Sequence, residues 1–239
     1  MPPSPKRHPY KNQFLAGLPD EDLINLRPQL HLIPGKMGAV LFGAGDSVRY
    51  LYFPLTAVVS MVANSQDGRG VEVALIGSEG LVGVSAAMGG RSNWHEAVVQ
   101  APGYLFKVTV DVFRAELNRS APLRDSLNRY MLFLLAQISQ TAACNRLHRL
   151  EQRLARWLLM TQDEVKTNEF HETHEFLSRM LGTDRSEVTI AAGILREAGL
   201  ISYNRGKVKI VDRKRLEEVS CECYQIIASA LMRLCEKRS

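Results

Sequence analysis

Two rhythms of apolar and polar residues divide the chain. From about Leu32 to Val110, short apolar runs alternate with polar residues and are broken by glycine, as in "AVLFGAGD", "YLYFPLTAVVSMVANSQDGRGVEVALIG" and "HEAVVQAPGYLFKV". A period of two with turn signals roughly every ten residues predicts a β-sandwich or small β-roll. The Asp-Gly pair in "QDGRG", Gln66 to Gly70, has the composition of a tight hairpin.

After Phe113 the rhythm becomes helical, and glycine is absent from Ala115 to Met180. Leu123, Leu127, Met131, Leu134, Ile138 and Ala142 follow at spacings of three and four, with Arg124, Asn128 and Arg129 between them. A helix from Pro122 to Leu147 would be about 40 Å long. Its own β-domain can cover such a stripe only in part, so the same helix of a second chain is the expected partner, through Leu127, Met131, Leu134 and Ile138. "LEQRLARWLLMTQDEV" predicts a further amphipathic helix with Leu154, Trp157, Leu158 and Met160 or Thr161 inward, and opens a second domain.

Residues 173 to 211 carry the sharpest pattern. "THEFLSRML" offers Phe176, Leu177, Met180 and Leu181 as one apolar face behind a Thr173 N-cap. Gly182 ends that helix, and Asp184 with Glu187 forms a capping box for the next, whose Val188, Ala191, Ala192 and Leu195 share one stripe. Arg185, Ser186 and Thr189 then face outward. Two helices joined by a short glycine turn are the helix-turn-helix pattern, whose second helix enters the DNA major groove. Gly199 closes the second helix, and "LISYNRGKVKIV" alternates as a hairpin wing about Asn204, Arg205 and Gly206. Between residues 185 and 215 the net charge is +5, equal to that of the whole chain, as a polyanionic partner requires.

A chain of 239 residues with 46% apolar content has room for two domains. The Pro-rich start, residues 1–12, reads as a flexible arm without a secretory signal, and no apolar run reaches membrane-span length, so a cytoplasmic protein is expected. The four cysteines, Cys144, Cys221, Cys223 and Cys235, are then expected as reduced thiols. Between Leu32 and Val110 the sole histidine is His95, which leaves a metal-dependent β-roll enzyme without ligands. With no P-loop, dinucleotide fingerprint or nucleophile elbow either, an enzyme is not expected.

The order β-roll, long helix, winged helix-turn-helix resembles the Crp/Fnr family of bacterial transcription factors, named for the cyclic-AMP receptor protein and the fumarate-nitrate reductase regulator. The resemblance runs from about Asn12 to Ile210. It rests on "YFP" at Tyr52 to Pro54, on "DGRGVEVALIGSEGLVG", and most specifically on "HEFLSRMLGTDRSEVTIAAGILREAGLI". It implies an α+β fold: a flexible arm (1–12), a β-roll sensor like a cyclic-nucleotide-binding jelly roll (13–120), a dimerisation helix (121–147) and a winged helix-turn-helix domain (148–239). It further implies a homodimer that binds double-stranded DNA, with RNA polymerase as a second partner and no membrane. By position, Arg185 matches the family's guanine-reading arginine, Ser186 stands where a carboxylate is usual, and Ile190 replaces a basic contact. Ser186, Glu187 and Thr189 complete the base-facing set, while Thr173, Arg205 and Lys207 are expected on phosphates.

The sensing cassette departs from the family. Aligning "GLVGVSAAMGG" puts Gly83 on the cassette glycine and Val84 on the glutamate that takes the ribose hydroxyl, and a valine cannot accept that hydrogen bond. Arg91 and Ser92 supply the phosphate-binding pair about two residues out of register. Cyclic AMP is therefore not expected as a cofactor, and another effector, or none, takes its place. No cysteine precedes Cys144, which excludes the fumarate-nitrate type of iron-sulfur sensor, and His31 and His95 read as structural rather than haem ligands. No metal site is expected. Cys221 and Cys223, read as two apart on one helix, diverge by about 200°, and His171 and His174 in "EFHETHEF" read as solvated or capping residues. The alternatives are a cyclic-nucleotide-sensing regulatory protein and a thiol- or metal-responsive regulator using the C-terminal cysteines, of which Cys221 and Cys235 would share a helix face.

Overall fold

The computed structural model describes residues 11–204 and 206–235, Cys235 by its backbone alone. Residues 1–10, most of the expected arm, and Arg205 of the wing lie outside the described residues. Helices α1 (Gln13–Ala16) and α2 (Asp20–Leu26) precede strands β1 (His31–Gly35), β2 (Val40–Phe42), β3 (Tyr50–Pro54), β4 (Val58–Asn64) and β5 (Gly70–Ile76). A one-turn helix α3 (Val84–Ala87), strands β6 (Glu96–Ala101) and β7 (Gly103–Thr109), and helix α4 (Val110–Arg119) complete the N-terminal half. The long α5 (Ala121–Leu147) leads to α6 (Leu150–Val165), β8 (Glu169–His171), α7 (His174–Leu181) and α8 (Arg185–Glu197). Strands β9 (Ile201–Asn204) and β10 (Lys207–Ile210) and helices α9 (Arg213–Val219) and α10 (Cys223–Cys235) follow.

The roll strands form two layers, ordered β1-β7-β3 and β2-β6-β4-β5. In the first, β7 pairs antiparallel with both neighbours, Phe53 opposite Phe106 and Leu51 opposite Val108. Strict alternation fails in β3 and β6, where nearly every residue is buried. The "YLYFP" and "EAVVQA" runs read accordingly as near-continuous apolar stretches.

The chain divides into two compact units, residues 1–59 with 76–132 and residues 60–75 with 133–239. The first unit centres on Phe14, Phe53, Phe113 and Tyr130, whose ring centroids lie 5.9–6.5 Å apart. Each such burial contributes about 1.5–3 kcal/mol. Tyr130 donates its hydroxyl to the Leu81 carbonyl at 3.1 Å and lies against Gly80 so closely that a Cβ there would fall 2.1 Å from the ring. Asn12, assigned to the arm from sequence, is instead fully buried. Its amide donates to the Pro54 and Gly80 carbonyls at 2.9 and 2.7 Å, and its oxygen caps α1 by accepting from the Leu15 N–H. A buried amide with all these bonds made holds the "YFP" strand end to the glycine loop.

In the second unit α6 buries Leu154, Trp157, Leu158 and Thr161 as the spacing requires, with Met160 half-exposed. Leu75 N–H donates to Gln137 on α5 at 2.8 Å, and Val71 lies against Gly182. The wing has three strands rather than two, in the order β8-β10-β9, because the short "EFH" segment joins its edge.

Candidate nucleic-acid interface

The Thr173 hydroxyl oxygen accepts from the Phe176 N–H at 3.1 Å and caps α7, whose Leu177, Met180 and Leu181 are buried. Gly182 closes α7 in the left-handed region at φ 60°, a conformation glycine adopts without cost. Asp184 and Glu187 then make the reciprocal capping box that starts α8. Val188, Ala191, Ala192 and Leu195 bury one stripe of α8, and Trp157 meets Phe176 edge-on with centroids 6.4 Å apart beneath α7. The opposite side of the first two turns is open to solvent: Arg185, Ser186, Glu187, Thr189 and Ile190 are all exposed.

These outward residues have different tasks. Arg185 and Ser186 stand free of the core on the first turn. The Thr189 hydroxyl donates to the Arg185 carbonyl at 3.0 Å and lies 2.9 Å from His174 Nδ1. Glu187, grouped with the base-facing set from sequence, is instead occupied as a cap, accepting from the Thr183 hydroxyl and from Asp184 N–H. His174, read from sequence as a solvated or capping residue, is instead half-buried and stacks on Tyr203 of β9 at 4.3 Å, so that α7, α8 and the wing meet at one imidazole. Burial and the Arg185 charge lower its pKa, which keeps it neutral at neutral pH. The His174–Thr189 spacing could not have signalled this, since only the turn at Gly182 brings them together.

The wing carries Lys207, exposed and 3.1 Å from the Glu169 carboxylate, and Lys209, also exposed. Arg205 lies outside the described residues. Arg213, counted in the basic window, is not free for a partner: it bonds Gln162, Asp163, Glu217 and the Tyr224 hydroxyl at 2.6–2.8 Å and ties α6, α9 and α10 together.

In the roll, Gly83 takes φ 99° to start α3, with Val84 half-buried after it. Arg91 and Ser92 are exposed on the turn that follows α3. The Ser85 hydroxyl of α3 donates to Asn93 Oδ1 at 2.8 Å, and the Asn93 amide donates to the His95 carbonyl at 2.7 Å. The stripe expected at a dimer seam is shifted. Leu127 and Leu134 are buried within the chain, at 4% and 7% exposure, because the buried face of α5 runs through Tyr130, Gln137, Thr141 and Cys144. Met131 and Ile138 are half-exposed, and Leu132 and Leu135, at 68% and 61%, hold the open apolar face.

The cysteines also depart from expectation. Helix α9 stops at Val219 and Ser220 is extended, at φ −63° and ψ 158°, so Cys221 and Cys223 do not share one helix and do not diverge as helix neighbours would. Cys221 instead meets Cys144 at 3.4 Å, and Cys223 lies 3.4 Å from His148 Nδ1. The hydrogen bond from Cys221 holds the Cys144 thiol well below the usual thiol range, and the Cys221 thiol is held correspondingly high. The visible signal was Cys144 and His148, four apart at a helix end. The side chain of Cys235 lies outside the described residues.

A model of the Crp-like helix-turn-helix domain matches residues 152–219, and a model of the cyclic nucleotide-binding domain matches residues 35–120. The chain belongs to the Crp/Fnr family. Among proteins of this kind, it is 21% identical over 193 residues to the global nitrogen regulator of Synechococcus elongatus, covering 77% of this chain and 86% of the relative. A Crp/Fnr transcriptional regulator from Eubacterium rectale shares the fold with a TM-score of 0.69 at 21% identity, over 84% of this chain and 94% of the other. The c-di-GMP-responsive global regulator CLP of Xanthomonas campestris does so with a TM-score of 0.66 at 17% identity, over 80% and 99%. The Crp/Fnr chain described here is a DNA-binding transcriptional regulator with a cyclic-nucleotide-binding-like sensor domain. Among its described residues no helix is long and apolar enough to cross a membrane.

Proposed function

We propose that this Crp/Fnr protein binds DNA sequence-specifically as a homodimer, reading bases with the first turns of α8 and responding through its roll to an effector other than cyclic AMP bound in the family's usual way. The observation that carries this is the exposed Arg185–Ser186–Thr189 surface on a helix locked from beneath by the Gly182 turn and the capping box. A guanidinium there pairs bidentately with guanine O6 and N7, and the exposed Ile190 suits a thymine methyl. Thr173, whose hydroxyl proton remains to donate, and Lys207, with Arg205, fit phosphate contacts that set register. A second copy is the natural cover for the open face of α5, and two α8 helices about a two-fold axis would meet half-sites roughly 34 Å apart. At a promoter, RNA polymerase is the partner such a dimer would act on.

Val84 offers the ribose no acceptor and Arg91 and Ser92 stand on an exposed turn, which supports an effector other than cyclic AMP. Selection from a random DNA pool, with and without cyclic AMP, tests the reading. The expected result is a two-fold symmetric motif enriched without the nucleotide. Arg185→Ala should then relax preference at one base pair per half-site and cost about 1–3 kcal/mol. Sequence-blind binding that vanishes with salt in both arms would sink the assignment of α8.

A further inference from the structure

Four ligand-type side chains converge in the second unit. Cys144 lies near the end of α5, His148 one turn later, Cys221 on the break between α9 and α10, and Cys223 at the first position of α10. Their ligand atoms, three thiol sulfurs and an imidazole nitrogen, all lie within 4.8 Å of one another. Around a zinc-sized ion with metal–sulfur bonds near 2.3 Å, tetrahedral ligand atoms stand about 3.5–3.8 Å apart. The 3.4 Å separations of Cys144 from Cys221 and of Cys223 from His148 Nδ1 are already of that size.

The surroundings are those of a ligand set rather than of packed thiols. The second imidazole nitrogen, His148 Nε2, lies 3.2 Å from the Glu222 carboxylate, which fixes the ring with Nδ1 toward the cysteines. Such a carboxylate–histidine pair is the usual support of a metal-bound imidazole. Gln140 Nε2 donates to Cys223 Sγ at 3.1 Å, as outer amides do to metal-bound thiolates. All three cysteines are buried and His148 is half-buried, which suits a closed set.

We propose that Cys144, His148, Cys221 and Cys223 form a closed four-coordinate site for a single zinc-class divalent cation. Three sulfurs and one nitrogen select a borderline-soft ion over magnesium or calcium, and a closed tetrahedral set is structural rather than hydrolytic. An iron-sulfur cluster would interpose its own iron and sulfide atoms between the protein sulfurs and needs wider spacing than this set has. On binding, the cysteines still protonated release their protons to solvent and all three sulfurs coordinate as thiolates, with no change of oxidation state. The ion would pin the end of α5 to the α9–α10 break, two segments more than 70 residues apart in sequence. The proposal does not depend on the DNA-binding reading.

The test uses the full-length protein, stripped by a strong chelator under reducing conditions and titrated with Co²⁺ and then Zn²⁺. The expected result is one Co²⁺ per chain with the intense visible bands of tetrahedral thiolate coordination, bleached by one equivalent of Zn²⁺, together with a rise in Tm on zinc addition. Cys221→Ser should weaken the thiolate-to-cobalt band and cost at least tenfold in zinc affinity. Glu222→Gln alters an exposed side chain and leaves every ligand in place, so it carries the test even where the cysteine variant fails to fold, and should lose about 10–100-fold. Substoichiometric metal, an octahedral cobalt spectrum, zinc affinity unchanged in Glu222→Gln, or an iron-sulfur chromophore in anaerobically purified protein would each overturn the proposal.

Discussion

Glu72 is a carboxyl with almost no water around it. Burial pushes its pKa from an ordinary 4.5 up to about 7, against the Ser60 hydroxyl, which donates to it at 2.6 Å, and the charge of Arg156. The folded state therefore holds this proton more tightly than the unfolded one. Its contribution to stability is complete below about pH 4.5 and is lost as pH rises through about 7. Glu72→Gln should flatten the dependence of Tm on pH between 5 and 8, a difference on the order of 3 kcal/mol at the alkaline end. Thermal melts across that range check it; parallel curves for the two proteins would remove Glu72 as the cause. Nothing in the sequence marked this residue, because "VEVAL" reads as ordinary alternation and the desolvation comes from groups far along the chain. Arg185 and Ser186 were legible for the opposite reason, since a capping box and a stripe of small apolar residues fix which way a helix turns.

At the scale of elements, the helix-turn-helix was the most legible part, being set by local signals within a few residues: Thr173, Gly182, Asp184 and Glu187. The third wing strand was not, because β8 is three residues long and gains its status only by pairing with β10. The Cys221–Cys223 break was hidden as well, since "RKRLEEVSCEC" carries no glycine or proline to stop a helix at Ser220. The wing gives its own prediction. Lys207→Ala should weaken all DNA sequences about equally and reduce the salt slope of binding by roughly 0.9 for each phosphate left without its cation. Affinity measured over a salt series on specific and scrambled duplexes checks it, and a loss confined to the specific duplex would make the wing a reader of bases.

At the scale of the molecule, α5 shows how far periodicity reaches. Spacings of three and four predicted its length well but not its azimuth, because apolar residues occur on two faces and only the rest of the chain decides which is covered. Leu132 and Leu135 are left open. Leu132→Glu with Leu135→Glu should leave the circular dichroism unchanged and shift the protein from dimer to monomer in sedimentation, with a matching drop in affinity for two-half-site DNA; a monomeric parent protein would end the dimer reading. The division of the chain has a different reach. Residues 60–75 belong to the same compact unit as residues 133–239, so neither unit is one continuous stretch. A single cut cannot release either one whole: a fragment beginning at residue 133 carries α7 and α8 but lacks Val71, Glu72 and Leu75, which pack within the same unit.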